Sequence, residues 1–348
     1  MHLPKIKFKK NVTFEKDIFL RIAKSIKKNQ LDSGAIPSNA DLSHDPWDHI
    51  EAIMGLNFLK DKESSDLAFK WLKNNQNKDG SWYAKYFNND PIELNKPTHF
   101  GPYISVAALH YFKIFSDKDK LFELWETIKS AIDFSIDLQN SNGTIPWSVD
   151  KNNEIENDFL LTGSSSILKS LECAIAISKI LDLDSNEKWT KAYESLAYAV
   201  RNPEGLFDKT TDRSRFSMDA YYPIISGVLL DYEKEKYIKK IFKDFYVEGI
   251  GVKCVVDEPW VTVAETSEFI ISLVISNELE EAKKILVEVM NISDSNDIPY
   301  MGWQYVENIF WPEEKPSWTA AALILAADSI FDFSPGSNIL KDNQLSFF

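Results

Sequence analysis

Long apolar runs recur along the chain, and each is followed by a segment whose apolar positions come every three or four residues. The apolar runs fall at residues 46–60, 98–115, 162–181, 217–231, 262–276 and 317–331. A helix that is apolar on every face is a buried one, so these six are expected as inner helices. The segments between them, 63–76, 118–139, 185–201, 233–245 and 278–291, carry one charged face and are expected outside. Residues 13–29, "TFEKDIFLRIAKSIKKN", have the same amphipathic pattern and no partner before them, so they are expected to close against the last inner helix. Six inner and six outer helices predict an all-α single domain over 1–348: an (α/α)6 toroid of six helical hairpins.

The connections differ by face. Inner-to-outer turns are short and polar ("DKES", "SDKDK", "DLDSNE", "YEKE"), whereas the outer-to-inner connections 77–97, 140–161, 202–216, 246–261 and 292–316 are long and read as structureless. Long loops in a compact domain are usually functional. Trp47, Trp82, Trp147, Trp260, Trp303, Trp311 and Trp318 all lie on these loops or at the start of an inner helix. Aromatic packing of large loops accounts for any one of them, but seven on one face predict a ligand site. In particular, Trp47, Trp82, Trp147 and Trp260 are expected to line a cleft there.

Chemistry concentrates at the same face. In "HDPWDHIE", residues 44–51, Asp45 followed by Pro46 reads as a helix N-cap with proline at the first helical position, and Asp48 falls where a carboxylate supports the cap. Thr262 to Glu265 reads as a capping box, and Ser217 to Asp219 as a similar start. Taken alone, each of these is a cap. In a toroid, however, all six inner helices would open on the long-loop face, so Asp45, Asp48, Asp219, Glu265 and Glu268 would share one space. Opposed carboxylates in an aromatic-lined cleft suit glycosidic bond hydrolysis, one carboxylic acid protonating the leaving oxygen and one carboxylate activating water. Asp45, Asp48 and Glu265 are the catalytic candidates. The apolar Val261, Val263 and Phe269 favour Glu265 as the acid and the aspartates as the base. Trp47, His49, Trp82, Tyr103, Trp147, Ser164, Ser165, Asp219, Tyr221, Trp260, Glu268, Trp303 and Trp318 are candidate substrate contacts.

Composition narrows the rest. A formal charge of −14, with lysines scattered among acids, disfavours nucleic acid as a partner. The two cysteines, Cys173 and Cys254, support neither a disulfide framework nor a zinc site. With no secretory leader pattern in residues 1–19 and no run of membrane-spanning length, a cytoplasmic location without membrane attachment is expected. The five histidines form no HExxH or His-plus-Cys cluster, so neither metal nor cofactor is expected. The expected partner is an oligosaccharide substrate; oligomeric state is not readable.

"QNKDGSW" at 76–82, with a weaker echo from Leu138 to Trp147, resembles the QxxDGSW repeat of triterpene cyclases, in which the repeat is structural. Their acid motif DxDD has no counterpart: the nearest string, Asp182 to Ser185, lies in an inner-to-outer turn. Across nearly its whole length the chain more closely resembles a bacterial family often labelled prenyltransferase-like. The resemblance runs through "DPWDHIEAIMGL", "NKDGSWYAKY", "LLTGSSSI", "MDAYYPI", "GVKCVVDEPWVTVAETSE" and "PSWTAAALILAADSI". Its mycobacterial relatives include an endo-acting α-mannosidase that cleaves methylmannose polysaccharides. The resemblance implies acids at Asp45, Asp48 and Glu265, and an inverting α-glycosidase. Two alternatives stand beside it: a terpenoid cyclase or prenyltransferase-like enzyme using the same cavity, and a non-catalytic carbohydrate-binding toroid whose acids are only caps.

Overall fold

A computed structural model of the chain describes residues 14–38, 41–183, 187–210 and 212–347. The basic N-terminal stretch, residue 13 of the first expected helix and residues 185–186 of the fourth outer one lie outside these. Among the described residues there are twelve α-helices: α1 (Lys16–Asn29), α2 (Pro46–Leu59), α3 (Lys62–Asn75), α4 (Ile104–Phe115), α5 (Lys118–Ile136), α6 (Leu161–Ile180), α7 (Glu187–Arg201), α8 (Met218–Ile225), α9 (Asp231–Asp244), α10 (Val263–Ile275), α11 (Leu279–Val289) and α12 (Ser317–Phe331). The even-numbered helices form a closed ring in which α2, α4, α6, α8, α10 and α12 each pack on the next, and α12 returns to α2. Outside them, α1 lies between α12 and α2, α5 between α4 and α6, and α11 between α10 and α12; α3, α7 and α9 pack on α2, α6 and α8. This is the (α/α)6 toroid that the two kinds of helix predict. The inner helices are buried nearly all round, as in α12, where only Trp318 and Phe331 escape full burial. Among the described residues no helix is long and apolar enough to cross a membrane.

Two expectations need correction. The helix predicted at 217–231 ends at Ile225, because Pro223 has no N–H to extend it and Gly227, at φ 81°, turns the chain out. The long connections are not structureless. They carry small antiparallel sheets: 43–44 with 85–87 and 90–93, 96–97 with 148–149, 246–247 with 251–252, and 260–262 with 302–304 and 309–310. Strands of two to four residues are too short to impose a readable alternation.

The outer layer is tied together by one device used three times. Gln30, Gln76 and Gln139, just beyond α1, α3 and α5, each donate from Nε2 to the carbonyl of a glycine four residues on, at 3.2, 3.0 and 3.1 Å. The same amide also donates to a carbonyl of the next outer helix: Ser64 at 2.9 Å, Thr127 at 2.9 Å and Ala192 at 3.0 Å. The glycines, Gly34, Gly80 and Gly143, have φ of 95°, 92° and 88°. A Cβ on each would stand 2.1–2.3 Å from a carbonyl oxygen of that neighbouring helix. The resemblance at 76–82 is therefore a clamp between successive outer helices, in which Trp82 is fully buried and donates its indole N–H to Leu72 O at 3.0 Å.

Beyond α12 the chain folds back across the other end of the ring. Ser334 binds Asp328 of α12, and Gly336 lies against His110 of α4. Gln344 N–H donates to the buried Glu172 carboxylate of α6 at 2.6 Å, and Lys169, paired with Glu172 at 3.1 Å, donates to Asp342 O.

Candidate active site

The N-terminal ends of all six inner helices open into one cavity of about 240 Å³. Asp45, Trp47, Asp48 and Glu51 reach it from α2, His99 and Phe100 from the approach to α4, and Leu160, Thr162 and Gly163 from the start of α6. Arg213, Met218 and Tyr222 come from α8 and the loop before it, Glu265 and Glu268 from α10, and Trp318 and Ala322 from α12. The shared geometry follows from the ring: parallel inner helices must present their first turns together.

Local sequence sets the α2 wall. Asp45 is the N-cap and its Oδ1 accepts the Asp48 N–H at 2.8 Å, with Pro46 at the first helical position. Asp45, Asp48 and Glu51 then stand at successive i, i+3 positions on one helix face. Burial raises the pKa of both aspartates, and the Asp45 charge pushes Asp48 further up, well above the usual carboxylate range. Two like-charged carboxyls this close retain a proton between them. Burial also pushes Glu51 to about 7, against the opposing hydrogen bond from the Tyr103 hydroxyl.

The α10 wall differs. Glu268 accepts from the Tyr221 and Tyr222 hydroxyls, one per oxygen, both at 2.6 Å. Burial, with the Glu51 charge next, lifts it to about 8. Glu265 has a buried Oε2 that no protein group satisfies. The capping box expected there does not form: Thr262 is the N-cap, but its hydroxyl accepts no bond from the helix and Oγ1 is buried without a partner. Ser217 likewise does not cap α8; its hydroxyl donates to Cys254 O at 3.3 Å. Glu265 is thus not committed to a structural cap.

The remaining walls are aromatic or neutral, with one cation. Trp47 packs against Tyr103, Tyr222 and His99 at ring separations of 5.2, 5.6 and 4.9 Å. Burial pulls His99 down to about 3, so the ring is neutral. Arg213 lies 3.4 Å from Asp219, whose carboxyl also accepts from Thr162 and is raised by burial. Among the described residues no three His, Cys, Asp or Glu side chains are placed to hold a metal ion.

Of the residues singled out from the sequence, Asp45, Asp48, Glu265, Glu268, Trp47 and Trp318 line this cavity. Tyr103, Tyr221 and Asp219 stand behind it, bonded to Glu51, Glu268 and Thr162. His49 is buried within the fold, its Nδ1 accepting the Ile36 N–H and its Nε2 against Ala68 O, each at 3.1 Å. Ser164 and Ser165 are buried in α6, and Ser165 donates to Leu161 O at 2.8 Å. Trp82 and Trp303 are core residues, and Trp260 packs on Trp311 at 5.2 Å and donates to its carbonyl. Trp147 lines a neighbouring cavity. Hence the four-tryptophan cleft is not found: of Trp47, Trp82, Trp147 and Trp260, only Trp47 lines the central cavity, because Trp82 is buried in a clamp, Trp260 packs on Trp311, and Trp147 lines the neighbouring cavity. Glu51, Thr162, Arg213 and Tyr222 were not singled out. The 45–48–51 spacing could have flagged Glu51; nothing in the sequence separates Arg213 from Arg215.

Comparison with known proteins defines the class. No protein-family profile matches the chain. The solved structures similar to it include a wild-type glycosidase (TM-score 0.70, 13% identity, covering 90% of this chain and 96% of that one). Others are a mannosylglycerate hydrolase of Thermus thermophilus with bound glucose (0.68, 11%, 88% and 99%) and a D-mannose isomerase (0.69, 10%, 91% and 97%). At such identities these likenesses establish the toroid. A closer relative is the MMP endo-(1,4)-3-O-methyl-alpha-D-mannosidase of Mycolicibacterium hassiacum, 33% identical over 324 residues, which span 93% of this chain and 89% of that protein. The chain belongs to the family of that mannosidase and is a glycoside hydrolase of the (α/α)6 type.

Proposed function

We propose that the protein hydrolyses α-linked, mannose-containing oligosaccharides, O-methylated ones among them, with inversion at the anomeric carbon. The observation that carries this reading is the meeting of the Asp45–Asp48 pair and Glu265 in one cavity, in a chain related over most of its length to a methylmannosidase. The α2 wall supplies the acid. Burial and mutual repulsion keep a proton on the aspartate pair, and Asp48, the more strongly raised, gives it to the glycosidic oxygen as the C–O bond breaks. Glu265, with one oxygen left open, takes a proton from the water that attacks the anomeric carbon from the opposite side. This reverses the assignment suggested by Val261, Val263 and Phe269, which are buried in the core and do not line the cavity. Trp47 and Trp318 offer aromatic faces to the sugar rings.

The test is a panel of α-linked manno- and gluco-oligosaccharides, native and O-methylated, read by mass spectrometry, with the product anomer followed by NMR. Asp48→Asn and Glu265→Gln should each lower turnover by about 10²-fold or more while melting no lower than the wild type. Asp45→Asn should fall between, since an amide still caps α2 but no longer holds the proton on Asp48. Near-native turnover in all three variants would refute the reading.

A further inference from the structure

Arg213 and Leu160 border not only the central cavity but a second one beside it, of about 530 Å³. The other walls of this second cavity are Trp147, Glu156, Asn157, Asp158 and Thr210. They come from two of the long outer-to-inner loops and are held in place. The backbone N–H of Trp147 donates to Asp158 O at 3.1 Å, and its carbonyl accepts the Thr98 N–H at 2.9 Å, so the backbone that carries the indole is held between two chain segments. The Asp158 carboxylate accepts from Phe159 N–H at 2.9 Å and from the Thr210 hydroxyl, which ties the two loops together. Arg213 lies over the Phe216 ring at 4.6 Å and beside Asp219, which fixes its guanidinium at the border of the two spaces.

The lining is that of a binding surface. A half-buried indole faces hydrogen-bonding groups of both senses: carboxylates that accept, a guanidinium that donates, and an amide and a hydroxyl that do either. A pyranose has the matching duality, a flat C–H face and a rim of hydroxyls. The two acids that line it, Glu156 and Asp158, stand two residues apart on one loop, unlike the acids of the central cavity, which come from two helices. We propose that this second cavity is a saccharide subsite, holding sugar units of the same chain whose scissile bond lies in the central cavity, with Trp147 as its stacking platform. The inference rests on the hydrolase reading given above.

Its test uses binding to the full-length Glu265→Gln protein, by calorimetry, of α-linked mannooligosaccharides of increasing length. Affinity should rise with length, and adding Trp147→Ala should weaken the longest by about tenfold while leaving the shortest one that binds unchanged. Trp147→Phe, which keeps a ring and so guards against misfolding, should lie between. In the otherwise wild-type enzyme, Trp147→Ala should raise KM for long substrates and spare kcat. Equal losses at every length, or none, would overturn the subsite. Failure of the wild type to cleave any α-mannoside would end the hydrolase reading, and the length dependence of binding would still decide the subsite on its own.

Discussion

Glu51 and Glu268 hold folded-state pKa values of about 7 and about 8, set chiefly by burial, against an ordinary glutamate near 4.5. An acid whose pKa is raised by folding binds more protons folded than unfolded, so its contribution to stability is complete below the unfolded value and is lost as pH rises through the folded one. The window is therefore roughly pH 4.5 to 8. Relative to wild type, Glu268→Gln should gain on the order of 4 kcal/mol between pH 5 and pH 9, and Glu51→Gln somewhat less. Thermal melts across that range would check the sign, and a gap that stays flat or narrows would contradict it. At this scale the sequence was readable where chemistry is local. The Asp45 cap needs only its own next three residues, and it is there. The caps assigned to Thr262 and Ser217 obeyed the same pattern and do not form. Glu51 is marked in the sequence only by its spacing from Asp45 and Asp48; its bond to Tyr103, some fifty residues away, is not readable there.

The glutamine clamps make a prediction about elements. At Gly80 a side chain would meet both a φ of 92° and the Ser130 carbonyl oxygen at 2.1 Å. Gly80→Ala should cost about 3 kcal/mol, the sum of left-handed strain and overpacking. Gly205→Ala, at φ 68° with open space around it, should cost about 1 kcal/mol. Gln76→Ala, which removes two hydrogen bonds, should cost about 1–2 kcal/mol. Urea denaturation of the three variants would rank them, and equal costs for the two glycines would rule out the clamp. Helices α2 and α12 were legible because all-round apolarity over a dozen or so residues has few structural solutions. The clamp at Gly80 is visible as a motif and the one at Gly34 is not, since the shared feature is a glutamine amide reaching a helix beyond the next connection.

For the whole molecule, the toroid was legible from alternation between two kinds of helix, and the cavity followed from it because a ring of parallel inner helices brings its first turns together. Which aromatics enter the cavity was not legible, since Trp47, in the first turn of α2, and Trp82, on the loop after α3, are separated only by what each packs against. The far end of the ring, where the chain beyond α12 lies across α4, α6 and α12 with Gln344 locked onto Glu172, carries a consequence for traffic. The well has a floor, so a chain cannot be reeled through it like thread through an eyelet; in the proposed hydrolysis it lies across the mouth, is cut there, and leaves by the way it came. A linear α-mannan oligosaccharide blocked by bulky groups at both termini should therefore be severed mid-chain at nearly the rate of the unblocked one, as end-labelled product sizing would record. Strict dependence on a free terminus would mean that the chain enters the well end-first instead of lying across its mouth.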